Sequence, residues 1–217
     1  MNRVFVRMFT ALAVTTFASL LVVRSESLQA AIYGNDAAIV FLLVLEVALV
    51  IAVTAGLRRM SPAAANVCFY AYALVNGLTL SVVFFAYEIG AVYSAFAASA
   101  LMFGAMAIYG ATTHQDLSSW RGFLTMGLFG VILAGLLSLA FRSSALEAAA
   151  NFVGVVIFVG LTAYDTQRIR ALLADSLEVD HDEAIRKLTV FGALSLYLDF
   201  INLFLRLLRI MGSSRRR

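Results

Sequence analysis

The feature that most constrains this chain is a series of apolar runs, each about as long as a membrane is thick. A helix needs about 20 apolar residues to cross the hydrocarbon, and lipid offers its backbone no hydrogen-bond partners. Six runs meet this requirement plainly, and one further run is equally long but carries polar and charged side chains. The predicted spans are 5–23, 37–57, 64–87, 90–111, 122–141, 147–166 and 188–210.

The composition excludes most other classes of protein. Of the 217 residues, 62% are apolar and 13% are charged, against about 45–50% and about 25% in soluble globular proteins. The net charge is only +3, and the arginines lie between apolar runs, which argues against nucleic-acid binding. A single cysteine, Cys68, cannot build a disulfide framework. We therefore expect an all-α integral membrane protein, with one membrane domain over residues 1–217.

The basic residues predict how the chain is oriented. Arg3 and Arg7 precede the first run, as in a signal peptide, but no small-residue cleavage site follows, which favours an uncleaved span. Most loop arginines and lysines lie on the N-terminal side, so the positive-inside rule predicts a cytoplasmic N-terminus and a cytoplasmic charged segment at 167–187. If the last run crosses, its basic tail lies outside, against that rule. Whether the run crosses or dips in and returns stays open.

Ionisable side chains within the spans are the functional candidates, because each costs at least about 2.5–3.5 kcal/mol near the membrane centre. On a helical wheel the last run shows one narrow polar stripe. Its members are Ser195, Asp199, Asn202, Arg206 and Arg209. The stripe indicates a helix that lines a polar path, or a helix lying flat with its stripe towards water. The acid at its centre favours the polar path.

A second carboxylate, Asp165, lies near the end of the sixth run, on a face that also carries Asn151, Gly154 and Thr162. If the last helix enters the membrane at its first apolar residue, Asp199 lies about 16 Å deep, and the two carboxyls cannot meet. If it enters six residues later, the depth is about 8 Å and they can pair. Two carboxyls in contact cannot both ionise cheaply, so they titrate as a unit. Ionised, they form an oxygen-rich candidate site for Ca²⁺.

Glu46 lies at the centre of the second run among apolar neighbours. It is a candidate pore-lining residue, together with Ser195, Asn202 and Arg206, and a candidate counter-charge for Arg206. The alternative is a hydrogen-bonded glutamate that ties two helices together. Arg58 and Arg59 follow the same run and mark the cytoplasmic side, although one of them also has the length to reach a carboxylate.

Enzymatic readings find little support in the sequence. His114 and His181 both fall in predicted loops, and no His-x-x-x-His or Cys-x-x-Cys spacing indicates a metal site. An intramembrane aspartyl protease would use two aspartates, but neither Asp165 nor Asp199 follows a Gly-x-Gly sequence. We expect no enzymatic activity and no cofactor.

Small residues one helical turn apart predict close helix packing within the bundle. The two pairs singled out on this ground are Ala100 with Gly104 and Gly130 with Ala134.

Several motifs resemble a known family. The sequences Gly160-Leu-Thr-Ala-Tyr-Asp165-Thr-Gln and Leu196-Tyr-Leu-Asp199-Phe-Ile-Asn-Leu-Phe resemble the paired signatures of the Bax inhibitor-1 (transmembrane Bax inhibitor motif) family, in particular its bacterial inner-membrane members. Further family-like positions are Gly77-Leu-Thr-Leu-Ser, Phe103-Gly-Ala-Met and Tyr109-Gly-Ala-Thr-Thr. The resemblance covers nearly the whole chain, and the two aspartate motifs together are its specific part.

The resemblance implies a seven-transmembrane-helix bundle with the C-terminal helix in the centre. It also implies a pH-sensitive calcium leak in a bacterial inner membrane, in which Asp165 and Asp199 form the pH-sensing gate. Arg58 or Arg59 would latch the closed state, and Glu46 would match a glutamate of the second helix. The partners expected are the lipid bilayer, protons and calcium ions. Because bacterial relatives are linked to restraint of a membrane-bound protease, the alternative is a non-conducting regulator that binds such a protease or another membrane partner.

Overall fold

The computed structural model describes residues 1–57, 59–178 and 182–212, and its regular elements in those ranges are all helices. A 3₁₀ helix, Leu117–Trp120, precedes α7. The α-helices are α1 (Asn2–Arg24), α2 (Glu26–Tyr33), α3 (Asp36–Gly56), α4 (Pro62–Leu80), α5 (Val82–Ala86), α6 (Ile89–Thr112), α7 (Arg121–Phe141), α8 (Ser144–Glu178) and α9 (Asp182–Gly212).

Polar residues between the apolar runs begin the helices. The side chains of Ser25, Asn35 and Ser61 each accept a hydrogen bond from a backbone N–H in the first turn of α2, α3 and α4. These caps satisfy donors that have no partner inside the helix. Pro62 occupies the first position of α4, where its fixed φ and missing N–H are tolerated. The short polar breaks in the sequence therefore fix where these successive helices start.

Within the described ranges, seven helical segments are long and apolar enough to cross a membrane, which confirms the predicted fold class. Helices α4 and α5 together make one of them, over Pro62–Ala86. Burial differs sharply among the seven, from 6% of the most apolar stretch in α3 to 67% in α9. The last helix is thus the most buried of the seven, and its predicted central position stays a prediction.

The charged segment at 167–187, predicted as a helix-prone loop between two spans, is helical wherever the structure describes it. Helix α8 continues past residue 166 to Glu178, and α9 begins at Asp182. Two ion pairs one turn apart link Asp182 to Arg186, at 3.8 Å, and Glu183 to Lys187, at 2.8 Å. Unlike the apolar spans on either side, this segment is charged, but its residues still favour a helix. His181 and the C-terminal arginines of 213–217 lie outside the described residues.

The described residues form two compact units. The first contains Met1–Ala86 and Leu172–Tyr197, and the second contains Tyr87–Ala171 and the described part of Leu198–Arg217. Helices α8 and α9 each contribute to both units. The sequence-based assignment of a single membrane domain stays a prediction.

In the first unit, α1 and α4 pack backbone to backbone. A Cβ atom on Gly77 of α4 would lie 2.5 Å from the carbonyl oxygen of Thr15 and 2.7 Å from the Cβ of Ala18 on α1. Close by in the same unit, the ring of Tyr197 meets those of Phe69 and Tyr72 edge to face. The close approach of α1 and α4 therefore needs glycine at position 77.

In the second unit, an apolar cluster joins the 3₁₀ helix with α7 and α8. Its buried members are Leu117, Leu124, Val131, Ile157, Ala163 and Tyr164. The backbone of α6 also lies against that of α8. A Cβ added to Gly110 of α6 would lie 2.2 Å from the carbonyl oxygen of Ala163 on α8. Phe200 of α9 packs edge to face against Phe96 and Phe103 of α6.

Two of the glycines predicted to mediate close packing do not do so. A Cβ on Gly104 or Gly130 would meet no atom of the described residues within 4 Å, outside its own helical turns. The prediction for these two positions is wrong, because spacing alone cannot tell which face of a helix meets another helix. Gly77 and Gly110, which lie in the family-like motifs, have that role instead.

Candidate functional site

The structure places both predicted aspartates in the second unit. Asp165 lies on α8 and is half-buried, while Asp199 lies on α9 and is only 5% exposed. The carboxyl groups are close enough for their charges to interact electrostatically. Which of the two depths derived for Asp199 applies stays a prediction.

The surroundings leave part of this pair without hydrogen bonds. Among the described residues, the Oδ2 atom of Asp199 and the hydroxyl of Thr166 are buried and have no hydrogen-bond partner. Arg168, three residues after Asp165, interacts electrostatically with the Asp165 carboxylate. Because buried polar atoms are normally satisfied, an unsatisfied carboxylate oxygen is available to a proton or a cation.

The α8 turn that carries Asp165 is fastened to the connection between α6 and α7. The side-chain amide of Gln167 accepts a hydrogen bond from the Leu117 N–H at 2.9 Å and donates one to the Gln115 carbonyl at 2.8 Å. Arg170 donates a hydrogen bond to the Ala111 carbonyl in the last turn of α6. This carbonyl belongs to a helix end, where backbone acceptors lack partners within the helix.

The same connection contains Asp116, which caps the 3₁₀ helix. Its carboxylate accepts hydrogen bonds from the backbone N–H and the hydroxyl of Ser118, at 2.9 and 2.7 Å, and these hold the pKa of Asp116 below its usual range. A lowered pKa means that the stabilisation is present above the unfolded pKa and is lost as the pH falls through the folded one. Titration near neutral pH therefore does not involve this cap.

The residues of the polar stripe on α9 differ in their burial and in their hydrogen-bond partners. Ser195 is half-buried in the first unit, and Asn202 donates a hydrogen bond to the Leu198 carbonyl of its own helix at 2.8 Å. Arg206 is half-buried and donates to the side-chain oxygen of Asn151 on α8 at 3.2 Å. Gly154 provides room beside Arg206, since a Cβ there would lie 3.1 Å from its Cδ and Nε atoms. Arg206 thus forms its hydrogen bond with a neutral side-chain amide.

Glu46 accepts two hydrogen bonds from α4. The Thr79 hydroxyl donates to one carboxylate oxygen at 2.5 Å, and the Asn76 side-chain amide donates to the other at 3.3 Å. The structure thus shows the arrangement of the alternative reading, in which the glutamate ties α3 to α4. A pore-lining role for Glu46 stays a prediction.

The hydrogen bonds continue from Glu46 to two further helices of the first unit. The Tyr197 hydroxyl of α9 donates to the Asn76 side-chain oxygen at 2.9 Å and lies 2.7 Å from the Thr15 hydroxyl of α1. Sequence reasoning missed Asn76, Thr79, Tyr197 and Thr15. Tyr197 lies inside the second aspartate motif, two residues from Asp199, and Asn76 directly precedes the Gly77 motif. Proximity to these motifs was the one available signal.

The predicted latch and calcium site have less structural support. Arg59 is exposed in the turn after α3, and Arg58 lies outside the described residues. In the part of the chain that the structure describes, no group of three or more His, Cys, Asp or Glu side chains is placed to hold a metal ion. Ca²⁺ prefers six to eight oxygen ligands. Two carboxylates alone therefore supply fewer oxygen ligands than this ion prefers.

Comparison with known proteins identifies the family of the chain. A family model described as inhibitor of apoptosis-promoting Bax1 matches residues 1–216. The chain belongs to the Bax inhibitor-1 family. It is 39% identical over 215 residues to the inner membrane protein YbhL of Escherichia coli K12, covering 99% of this chain and 92% of YbhL.

Further relatives come from distant bacteria. A Borreliella burgdorferi protein of unassigned function is 38% identical over 192 residues, covering 88% of this chain and 82% of that protein. A Deinococcus radiodurans protein of unassigned function is 42% identical over 174 residues, covering 80% and 74%. Family membership and the seven apolar helices together establish an integral membrane protein of the Bax inhibitor-1 family.

Proposed function

We propose that this Bax inhibitor-1 family protein is a pH-sensitive calcium leak gated by Asp165 and Asp199. The observation that carries the proposal is the buried Asp199 carboxylate, whose charge interacts with that of Asp165. Each protonation step changes the charge of the pair by one. The attraction of the pair for a cation and the force between α8 and α9 therefore change together.

The proposal includes a location and a set of partners. The protein would lie in a bacterial inner membrane, like the E. coli relative whose name places it there, with a cytoplasmic N-terminus. It would bind no cofactor and catalyse no reaction, with Ca²⁺ as the transported ion. Arg59 or Arg58 would latch the closed state.

Purified protein in liposomes that contain a calcium dye tests the gate. We expect the calcium influx of the wild type to change several-fold with pH, and Asp165→Asn and Asp199→Asn to make the influx independent of pH. Each variant keeps one carboxyl but removes its partner, so the shared, coupled titration that the gate requires is lost. Glu147→Gln is the matched control, because Glu147 is an exposed acid in the first turn of the same helix as Asp165. An unchanged pH profile in both aspartate variants would contradict the proposal.

The alternative function is a non-conducting regulator that binds a membrane protease or another membrane protein. The observation that favours it is the charged start of α9, where Asp182, Glu183 and Arg186 are exposed. Such a surface suits a polar protein contact. This function predicts that a partner co-purifies with the chain and that the cellular phenotype survives Asp199→Asn. Charge reversal at Asp182 and Glu183 would then abolish the phenotype and leave calcium influx unchanged.

A further inference from the structure

We infer that Gln167 is a positioning residue that sets how the Asp165 carboxyl meets Asp199, an inference that rests on the proposed gate. The Gln167 side chain of α8 holds the connection between α6 and α7. The connection would thereby control the gate without contacting an ion.

The Gln167 amide holds the connection at two points. Its oxygen accepts from the N–H of Leu117, which is 1% exposed, and its nitrogen donates to the carbonyl of Gln115. An amide that makes both bonds fixes the distance and the direction of the α8 turn relative to residues 115–117. A purely apolar contact lacks this directional requirement.

Two neighbouring contacts fasten the same face of α8. Arg170 donates to the Ala111 carbonyl, and the backbone of Ala163 lies against Gly110. Residues 163, 167 and 170 follow the spacing of one helical face. The end of α6 and the start of the 3₁₀ helix are therefore both fixed to a single stripe of α8.

Asp165 projects from the opposite side of that helix. At about 100° per residue, its direction lies roughly 160° from those of residues 163 and 167. A helix held along one stripe cannot rotate, so its opposite side presents Asp165 at a fixed angle. Loss of the Gln167 bonds would let this turn move, and the separation of the two carboxyls would change. That separation determines how strongly the carboxyls share a proton.

Gln167→Leu removes both hydrogen bonds and nearly preserves the side-chain volume. We expect the midpoint of the pH-dependent calcium influx to shift by about 0.5–1 pH unit, because a typical hydrogen bond is equivalent to such a shift. The shift should be towards lower pH, since carboxyls that are free to separate repel each other less. Gln167→Asn keeps both the acceptor and the donor on a side chain one methylene shorter and adds no charge near Asp165, so it weakens the two bonds without replacing them by a new electrostatic interaction. It should shift the midpoint by a smaller amount.

Gln29→Leu is the matched control. Gln29 also makes two hydrogen bonds from its side chain to the backbone, donating to the Val22 and Val23 carbonyls at the end of α1. It belongs to the first unit, so its loss should leave the midpoint of influx in place. An equal shift in Gln29→Leu would show general loosening of the fold and overturn the inference.

Hydrogen exchange of the peptide over residues 113–120 supplies the second measurement. Gln167→Leu should accelerate exchange there, since the Leu117 N–H loses its acceptor. Faster exchange with an unmoved midpoint overturns the positioning role and leaves the proposed gate standing. A wild-type influx that does not vary with pH overturns the gate and the inference together. If Gln167→Leu does not fold, the graded shift expected of Gln167→Asn decides the question, and its absence counts against the inference.

Discussion

Gly110→Ala should destabilise the protein by about 3 kcal/mol or more, although alanine is the better helix former. The new Cβ would lie 2.2 Å from the Ala163 carbonyl oxygen and 2.9 Å from that residue's carbonyl carbon and Cα. All three atoms are backbone, so no side-chain rotation relieves the clash. Helices α6 and α8 would have to separate, and the apolar cluster around Leu117 and Ala163 would lose contacts. Thermal unfolding of the purified protein in detergent measures the loss.

Gly104→Ala on the same helix is the matched control. A Cβ at that position meets nothing within 4 Å among the described residues outside its own helical turns. The substitution should therefore raise stability by up to about 1 kcal/mol, which is the difference in helix propensity. If both variants changed the unfolding temperature equally, the close approach of Gly110 to Ala163 would not be what makes glycine necessary.

The number and placement of the membrane helices followed from the sequence, because the length of an apolar run is a local property. The ends of α8 and α9 did not follow from hydropathy. Residues 167–178 are rich in charge, so the apolar run ends at residue 166. The helix continues because Ala, Leu and Arg in this stretch favour helix. The short helix α2 was missed for a related reason, since its eight residues lie below the length that a search for spans detects.

The candidate site was predictable in part. A carboxylate in an apolar run is costly wherever the run packs, so Asp165, Asp199 and Glu46 stood out without a structure. Their partners did not, because Gln167 bonds to backbone groups at residues 115 and 117, and Tyr197 bonds to Asn76 and Thr15. Those contacts join residues that are 50 to 182 positions apart. They depend on tertiary packing, which periodicity does not encode.

Tyr197→Phe should lower the free energy of unfolding by about 2 kcal/mol, within the range of about 1–3 kcal/mol for leaving a buried polar group unsatisfied. The Tyr197 side chain is fully buried, and its hydroxyl is the donor to the Asn76 side-chain oxygen. Phenylalanine keeps the edge-to-face contacts with Phe69 and Tyr72, so the loss isolates the hydroxyl. Thr15 retains the Ala73 carbonyl, 2.8 Å away, as an acceptor.

Tyr72→Phe is the control in the same cluster, since the Tyr72 hydroxyl makes no hydrogen bond to the described residues although Tyr72 is only 5% exposed. Its removal should leave stability nearly unchanged, because no partner loses a bond. A double-mutant cycle of Tyr197→Phe with Asn76→Ala then isolates the bond between α9 and α4, and neighbours that share a hydrogen bond should be non-additive. Additive losses would show that the Tyr197 hydroxyl stabilises the unit through something other than Asn76. The link from Glu46 through Asn76 to the last helix would then not hold.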